Sequence, residues 1–171
     1  DTPLPEAVDD YIQGMGQLHT LADYFTLNLS SPNTPGLRQL QHGDELSKLL
    51  EQVMETQQRL ASAGVVTPVL LKVAPDLTDE DIDQIAQQVV RHKLDGLIAT
   101  NTTLDRRAVQ GHPLSEQAGG LSGAPLTEVS CGVVRKFRER LPQGLPIIGV
   151  GGIGSIQDAH NMLNAGADLL Q

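Results

Sequence analysis

Four short stretches of the chain carry polar residues directly after apolar runs that have the composition of buried strands. They are Asn28–Thr34, Lys72–Pro75, Thr100–Thr103 and Gly149–Gly152. Polar groups that gather at the carboxyl ends of successive parallel strands form the active face of a (β/α) barrel. The sequence therefore predicts an enzyme site, which the loops after the strands assemble.

Three asparagines in these stretches, Asn28, Asn33 and Asn101, predict a ligand of mixed polarity. Asn28 lies within a strand-like run on the face opposite Leu27 and Leu29, so we expect it to point into the barrel mouth. An amide has both donors and an acceptor, which suits a ligand that displays N–H and C=O groups together. Turn formation is the other interpretation of this region, and it does not explain an Asn inside a strand.

Lys72 interrupts the apolar run Val69–Ala74. Burial of an unpaired ammonium costs free energy, so the charge needs either solvent or a partner. One interpretation is that the side chain extends to water at the end of the strand. The interpretation we favour is that it lies beside an anion or an electron-rich ring.

The segment Gly149–Gly154 has the form GxGxxG and stands between a strand-like run and a helical pattern. A dinucleotide-binding fold would place an acid at the end of the next strand, whereas Asp168 comes at the beginning of that strand. In barrels the loops after the last two strands bind phosphate through backbone N–H groups. We therefore interpret Gly151 and Gly152 as the site of a phosphate-bearing cofactor such as FMN.

The connection from Thr103 to Leu126 shows no convincing periodicity, and a loop of this length in a compact domain is usually functional or disordered. It contains Gly119–Gly123, which predicts a tight backbone conformation near a ligand. A flexible loop tip is the alternative interpretation.

Strand-like and helical patterns alternate along the chain, which is typical of βαβ units and a parallel sheet. The predicted strands are Tyr24–Leu29, Pro68–Ala74, Asp95–Thr100, Leu145–Val150 and Ala167–Leu170. The predicted helices contain the apolar sets Val8–Ala22, Leu46–Leu60 and Ile82–Val90, and two more lie near 127–141 and 155–166. Thr78–Asp81 and Ser155–Asp158 have the form of helix caps. Asp76, Asp79, Asp81 and Asp83 do not form a calcium loop, because the central Gly and terminal Glu of such loops are missing.

Composition excludes several classes of function. At 171 residues, with 39% hydrophobic and 19% charged residues, the chain fits one globular domain, and its net charge of -9 argues against a nucleic-acid partner. It contains no apolar run near the ~20 residues of a membrane-spanning helix. Cys131, the single cysteine, is expected to be a packing residue, and the five scattered His predict no metal site.

Together these motifs are similar to those of the dihydroorotate dehydrogenase family, in the same order and along nearly all of the chain. The segments that carry the resemblance are Asn28–Thr34, Leu71–Asp76, Ala99–Thr103, Gly119–Gly123 and Pro146–Gly152. The family consists of FMN-containing (β/α)8 barrels that oxidise dihydroorotate to orotate in pyrimidine synthesis. The resemblance thus implies FMN as cofactor and a TIM barrel as fold.

The resemblance also implies roles for single residues. Family members with Ser at the position of Ser31 reduce quinones and associate with membranes, whereas the soluble class has Cys there. Ser31 would be the general base that removes the C5 proton while hydride leaves C6. The substrate-binding residues would be Asn28, Asn33, Asn101 and Thr102, and the FMN-binding residues would be Asn28, Lys72, Thr100, Gly123, Gly151 and Gly152.

A complete barrel has eight strands and about 250 residues, whereas only about five strands are predicted here. We therefore expect residues 1–171 to be a partial FMN-binding barrel domain, incomplete at both ends, with an open interior that exposes apolar side chains. The implied partners are dihydroorotate or orotate, a quinone, and the membrane surface, reached through an N-terminal region outside the chain. The implied location is the cytoplasmic face of the bacterial inner membrane. The alternatives are another phosphate-binding (β/α)-barrel enzyme, with Lys72 as a Schiff-base lysine or with a catalytic Cys, and an inactive structural fragment.

Overall fold

A computed structural model describes residues 3, 6–34, 36–41, 43–61 and 66–171. Strands and helices alternate through these residues, as the sequence patterns predicted. The helices are α1 (Ala7–Leu18), α2 (Gly43–Ala61), α3 (Asp79–Arg91), α4 (Thr127–Arg140) and α5 (Ile156–Asn164). The strands are β1 (Phe25–Asn28), β2 (Val69–Val73), β3 (Gly96–Ala99), β4 (Ile147–Gly149) and β5 (Leu169–Leu170).

The five strands form one parallel sheet in the order β1-β2-β3-β4-β5. Each strand pairs with the next strand in the chain, so the order does not reverse anywhere among the described strands. A dinucleotide-binding sheet binds its ligand at a point of reversal. The observed order is instead that of consecutive units in a singly wound (β/α) barrel.

The helices cover one face of this sheet. Leu27, Leu71, Leu97 and Ile147 belong to the hydrophobic core that the sheet shares with the helices. Alternation along the strands turns their neighbours to the other face, which in a closed barrel is the interior. Thr26, Asn28, Leu70, Lys72 and Ile98 lie on this second face by register.

The expectation that the interior face would expose its apolar side chains is wrong for its central strands. Leu70 is 6% exposed and Ile98 only 1%, although both lie on the face that is turned away from the helices. Exposure is found instead on the last strand, where Leu169 is 56% and Leu170 is 38% accessible. Position at the edge of the sheet therefore determines the exposure of these apolar side chains more than location on the interior face does.

Local signals explain where several elements begin and end. The Thr78 hydroxyl accepts from the Asp81 backbone N–H, and the Asp81 carboxylate accepts from Thr78 N at 2.9 Å, so the predicted capping box is confirmed. The Ser155 hydroxyl caps α5 by accepting from Asp158 N, but here the Asp158 carboxylate accepts from the backbone N–H of Gly154 and not from that of the cap residue. The first helix ends at Leu18 and does not extend to Ala22, and each observed strand is shorter than its predicted run.

The structure places the lone cysteine and one histidine in packing positions. Cys131 is a buried free thiol on α4, and burial raises its pKa. His92 Nε2 lies 3.1 Å from the Ser47 hydroxyl on the helical exterior, and partial burial lowers its pKa. In the described ranges there is no cluster of His, Cys, Asp or Glu that could hold a metal ion.

Candidate active site

The predicted polar residues gather at the carboxyl ends of the strands. Asn28 is the last residue of β1 and is paired in register with Lys72 of β2, so the two side chains are neighbours on the interior face. Asn101 and Thr102 follow β3 after a buried Thr100. Parallel strands bring these positions to one edge of the sheet, where loops can enclose a ligand.

Two of the predicted amides are hydrogen-bonded to each other. Asn101 Nδ2 donates to Asn28 Oδ1 and to the Ser30 hydroxyl oxygen, both at 3.1 Å. The Ser30 hydroxyl also donates to Asn28 Oδ1 at 3.2 Å. Because the acceptor of Asn28 is occupied twice, the side-chain N–H groups of Asn28 are the part of this amide that can serve a ligand.

Ser30 was not among the predicted site residues, yet it is fully buried between the two amides. The signal was available in the sequence, since Ser30 shares the alternating face of Thr26 and Asn28. Turn formation is a sufficient explanation for a Ser in a turn-rich segment, so this pattern did not indicate a site role for Ser30. The buried hydroxyl fixes the separation between the loops that follow β1 and β3.

Ser31, the predicted base, is partly exposed beside this network. Its hydroxyl oxygen accepts a hydrogen bond of 3.2 Å from the backbone N–H of Asn33. That contact orients the oxygen and turns the following loop, while the Asn33 side chain stays exposed. Among the described residues no acceptor takes the hydroxyl proton of Ser31, so the group can exchange a proton with a ligand.

Lys72 is partly buried on the interior face. Across the part of the chain that the structure describes, no group forms a hydrogen bond or ion pair with its ammonium. A partly buried cation beside an amide network attracts an anion or an electron-rich ring more strongly than it would in water. The geometry agrees with the interpretation that Lys72 serves a ligand, and this role stays a prediction.

The segment after β3 is fixed mainly through its backbone. Asn101 N donates to Val73 O, and Thr100 N donates to Val150 O, both at 2.8 Å. The Thr100 hydroxyl donates to Asn101 O at 2.9 Å, and the Ala99–Thr100 peptide bond is cis. Asn101 Oδ1 accepts from Thr102 N at 2.8 Å, which holds the Asn101 side-chain plane in place.

The long connection after Thr103 folds back over the site. Thr103 and Leu121 form an antiparallel bridge, and Gly120 lies directly on Thr102. A Cβ at Gly120 would lie 1.7 Å from Thr102 Oγ1, so only glycine fits there. Gly119 has a φ of 110°, and a Cβ on it would lie 3.3 Å from Asn33 Oδ1.

The predicted tight conformation of Gly119–Gly123 is therefore confirmed, and its contact with a ligand stays a prediction. Arg106 stabilises the fold of this connection, because its guanidinium donates to the carbonyls of Thr103, Gln117 and Gly119. No sequence pattern indicates this role of Arg106, since arginines in a loop are usually solvated.

A second cluster of predicted residues surrounds the beginning of α4. Gly151 and Gly152 have φ values of 117° and 75°, which side chains rarely adopt. Thr127 donates to Gly152 O at 2.6 Å, and Ser130 donates to Gly151 O at 2.7 Å. Gly123, with a φ of 79°, begins the short turn that leads into α4.

This glycine cluster is continuous with the amide network. Thr100 N bonds to Val150 O, which directly precedes Gly151, so the two groups of predicted residues adjoin through β3 and β4. Backbone amides beside the beginning of a helix favour a bound phosphate. The closely packed glycines fit this purpose, because a Cβ at Gly152 would lie 2.5 Å from Thr127 N.

Asp168 takes no part in either cluster. Its carboxylate accepts from Ile147 N and from Arg138 Nη2, both at 2.8 Å, at the opposite end of the sheet. The prediction that this acid lies at the wrong end of its strand for a dinucleotide site is confirmed.

Comparison with known proteins agrees with these features. The family model described as dihydroorotate dehydrogenase matches residues 4–171. The chain belongs to the dihydroorotate dehydrogenase family. Members of this family are flavin-dependent in general.

Curated relatives named dihydroorotate dehydrogenase (quinone) resemble the whole chain. The relative from Chromobacterium violaceum is 52% identical over 171 residues, which are 99% of this chain and 50% of that protein. The relative from Xanthomonas campestris is 52% identical over 172 residues, covering 100% of this chain and 49% of that protein. The chain spans about half the length of the curated relatives it matches.

Solved structures of the DHODH of Eimeria tenella establish the fold. The complex with ferulenol aligns with a TM-score of 0.91 and 34% identity, over 100% of this chain and 49% of that one. The ligand-free form aligns with a TM-score of 0.91 and 35% identity, over 100% and 51% of the two chains. The predicted fold class is thus confirmed, and the five strands are part of a (β/α)8 barrel.

Quinone-dependent members of the family are generally membrane-associated. In the described part of the chain, no helix is long and apolar enough to cross a membrane.

Proposed function

We propose that the protein to which this chain belongs oxidises dihydroorotate to orotate with FMN as its flavin and a quinone as electron acceptor. The observation that carries the proposal is the placement of Ser31 beside the Asn28–Ser30–Asn101 network, with the unpaired Lys72 next to Asn28. Family membership and the names of the relatives support it.

The described residues fit an FMN molecule. Gly123, Gly151 and Gly152, whose φ angles are all positive, would hold its phosphate through backbone amides beside the beginning of α4. Lys72, Asn28 and Thr100 would contact the ring system, where a nearby cation stabilises negative charge. When bound, FMN supplies the acceptor for the hydride that leaves C6 of the substrate.

The substrate is a ring with alternating N–H and C=O groups and one carboxylate, and it becomes planar when the C5–C6 bond is oxidised. Asn28, Asn33, Asn101 and Thr102 would bind it, since amides can donate and accept at neighbouring positions. In the unliganded arrangement, Asn101 Nδ2 is occupied by Asn28 and Ser30. The ligand therefore meets groups whose orientation is already fixed, which reduces the entropy lost on binding.

Ser31 would remove the proton from C5. Its oxygen is oriented by the Asn33 backbone N–H. Because no described residue accepts its own hydroxyl proton, that proton would pass to water as the C5 proton arrives. A hydroxyl is a weak base, so its contribution depends on position and on the simultaneous departure of hydride from C6. The quinone class is assigned from Ser31 and from the names of the relatives.

The domain and location follow from the same proposal. Residues 1–171 would be part of an FMN-binding barrel domain that is incomplete at both ends of this sequence. The enzyme would act at the cytoplasmic face of the bacterial inner membrane, with a region outside this chain at the membrane surface.

Ser31→Ala in the full-length protein tests the base. The rate of flavin reduction by dihydroorotate should fall about 10²- to 10⁴-fold, the usual contribution of a positioned general base. Flavin content and orotate affinity should change little, because the hydroxyl acts in the transition state. Anaerobic stopped-flow absorbance measures the rate.

Two further variants sharpen this test. Ser31→Cys should keep part of the rate, because a thiol ionises more readily and is the better acid–base group near neutral pH. Ser47→Ala removes a hydroxyl that contacts His92 on the helical exterior and should reduce flavin at the normal rate. A Ser31→Ala enzyme as fast as the wild type would show that another group is the base.

A further inference from the structure

The structure assigns a positioning role to the ion pair between Arg38 and Asp76, which we infer holds Ser31 in register with the amide that receives the substrate. The inference rests on the proposed function and adds two residues to which that function gave no role. Arg38 lies in the connection between β1 and α2, and Asp76 follows β2.

Arg38 joins three loops through one guanidinium. Its Nη1 donates to Asp76 Oδ2 at 2.9 Å, its Nε to Ser30 O at 3.1 Å, and its Nη2 to Thr102 O at 3.1 Å. These acceptors belong to the loops after β2, β1 and β3, respectively. A single planar group therefore sets the relative positions of three strand ends.

Asp76 completes the connection on its other side. Its carboxylate accepts from the Thr103 hydroxyl and, at 3.0 Å, from Leu104 N. The side chains of Arg38 and Asp76 are 22% and 28% exposed, so both charges are partly shielded from water. The pair therefore holds the segment after β3 at three points. Arg38 contacts Thr102 O, and Asp76 contacts the Thr103 hydroxyl and Leu104 N.

The contact with Ser30 O acts directly on the base. This carbonyl belongs to the peptide bond that links Ser30 to Ser31, so its direction determines where the Ser31 side chain begins. The contact with Thr102 O fixes the neighbour of Asn101 in the same manner. Arg38 thereby sets the distance between the group that removes a proton and the groups that hold the substrate.

Neither Arg38 nor Asp76 belongs to the Asn28–Ser30–Asn101 network. Their effect on the reaction must pass through Ser31 and Thr102, and they are positioning residues. Misplacement of a reacting group by about 1 Å can cost about 10²-fold in rate. Lysine cannot replace the arginine, because one ammonium does not reach three acceptors in a planar arrangement.

The test uses Arg38→Ala, Arg38→Lys and Asp76→Asn in the full-length flavoprotein. We expect the limiting rate of flavin reduction, normalised to bound flavin, to fall about 10²-fold in Arg38→Ala. The dihydroorotate concentration at half-maximal rate should change much less. Arg38→Lys should recover little of the rate, and Asp76→Asn should lie between Arg38→Ala and the wild type.

The pH profile separates positioning from a change in the base itself. If Arg38 acts through geometry, the rate falls at every pH and the inflection of the profile stays in place. Equal losses of flavin and of activity, with a normal rate per bound flavin, would overturn the inference in favour of a purely structural role. If Arg38→Ala fails to fold, the normalised rate of Arg38→Lys decides, and a wild-type value there would overturn the inference.

Arg140→Ala is the matched control. Arg140 binds the Asp83 carboxylate between α4 and α3, outside the site, and its loss should leave the normalised rate unchanged. A wild-type enzyme that does not reduce its flavin with dihydroorotate would refute the proposed function. A wild-type enzyme that does so, together with a normal rate in Arg38→Ala and Arg38→Lys, would refute only the positioning role.

Discussion

The two ends of the parallel sheet contain the same kind of ion pair in different surroundings. At the carboxyl end, Arg38 binds Asp76 at 2.9 Å, and at the amino end Arg138 binds Asp168 at 2.8 Å. Each arginine also donates to backbone carbonyls, and each aspartate accepts a backbone N–H. The chemistry of the pair alone therefore does not distinguish a site from a structural contact.

The difference lies in what surrounds each pair. Arg138 contacts the carbonyls of Pro142, Leu145 and Gly166, which are segments that lead into β4 and β5. Asp168 bonds to Ile147 N, the first backbone group of β4. The partners of Arg138 and Asp168, apart from each other, are therefore backbone groups of β4 and of the segments that lead into β4 and β5.

Asp95 repeats the arrangement of Asp168 two repeats earlier in the sheet. It precedes β3, accepts from Val69 N at 2.8 Å, and binds Gln57 Nε2 at 2.6 Å. Both acids thus satisfy the first N–H of the preceding strand. An acid directly before a strand therefore indicates strand alignment at the amino end for β3 and β5.

At the carboxyl end, polar groups remain without partners among the described residues. The Lys72 ammonium and the Ser31 hydroxyl proton are such groups, and both lie beside the network of Asn28 and Asn101. Polar groups without hydrogen-bond partners, held beside a rigid amide network, therefore mark the functional end of the sheet. A barrel generally separates stability and catalysis between its two ends in this way.

The largest effect in this comparison is expected from Lys72→Ala. Loss of the only cation paired in register with Asn28 should weaken FMN retention about 10- to 100-fold, as for a lost hydrogen bond to a charged group. It should also shift the flavin potential downward, because the reduced ring loses a nearby positive charge. Flavin content after dialysis and a spectroscopic redox titration measure the two effects.

Lys72→Arg should restore flavin function only in part, because a planar fork does not replace a point charge in a tight site. Lys48→Ala removes an exposed lysine from α2 and should change neither quantity. Full retention of FMN with an unchanged potential in Lys72→Ala would show that this ammonium only extends to solvent.

A smaller effect of a different kind is expected from Asp168→Asn at the amino end. It removes a half-exposed carboxylate that accepts from Arg138 and Ile147 N, so the free energy of unfolding should fall by about 1–2 kcal/mol. Urea unfolding monitored by circular dichroism measures this loss. The rate of flavin reduction per bound flavin should be unchanged, and a fall in that rate would remove the distinction between the two ends.

The sequence predicted the elements well because their signals are local. Helix caps at Thr78 and Ser155, and apolar periodicity in α2 and α3, depend on residues a few positions apart. The gathering of Asn28, Lys72 and Asn101 was predictable from the strand ends alone. It requires only that parallel strands end at the same edge of the sheet.

The Arg38–Asp76 pair was not predictable in this way. The two residues are 38 positions apart, and the pair exists only because the loops after β1, β2 and β3 converge. The sequence places Asp76 in an acidic run and in the segment Leu71–Asp76, and neither pattern indicates Arg38 as its partner. The burial of Leu70 and Ile98 was missed because alternation along a strand indicates the face on which a side chain lies, and not how much of that face the rest of the fold covers.

Anaerobic reduction of the enzyme-bound flavin by dihydroorotate tests the central claim most directly, because it requires no quinone and reports the chemistry at the carboxyl end alone. The full-length protein is mixed with one equivalent of dihydroorotate, and the flavin absorbance and the formation of orotate are followed together. We predict that the flavin band bleaches and that one orotate forms for each flavin reduced. A protein that retains its flavin and is bleached by dithionite, yet neither bleaches with dihydroorotate nor forms orotate, would contradict the account.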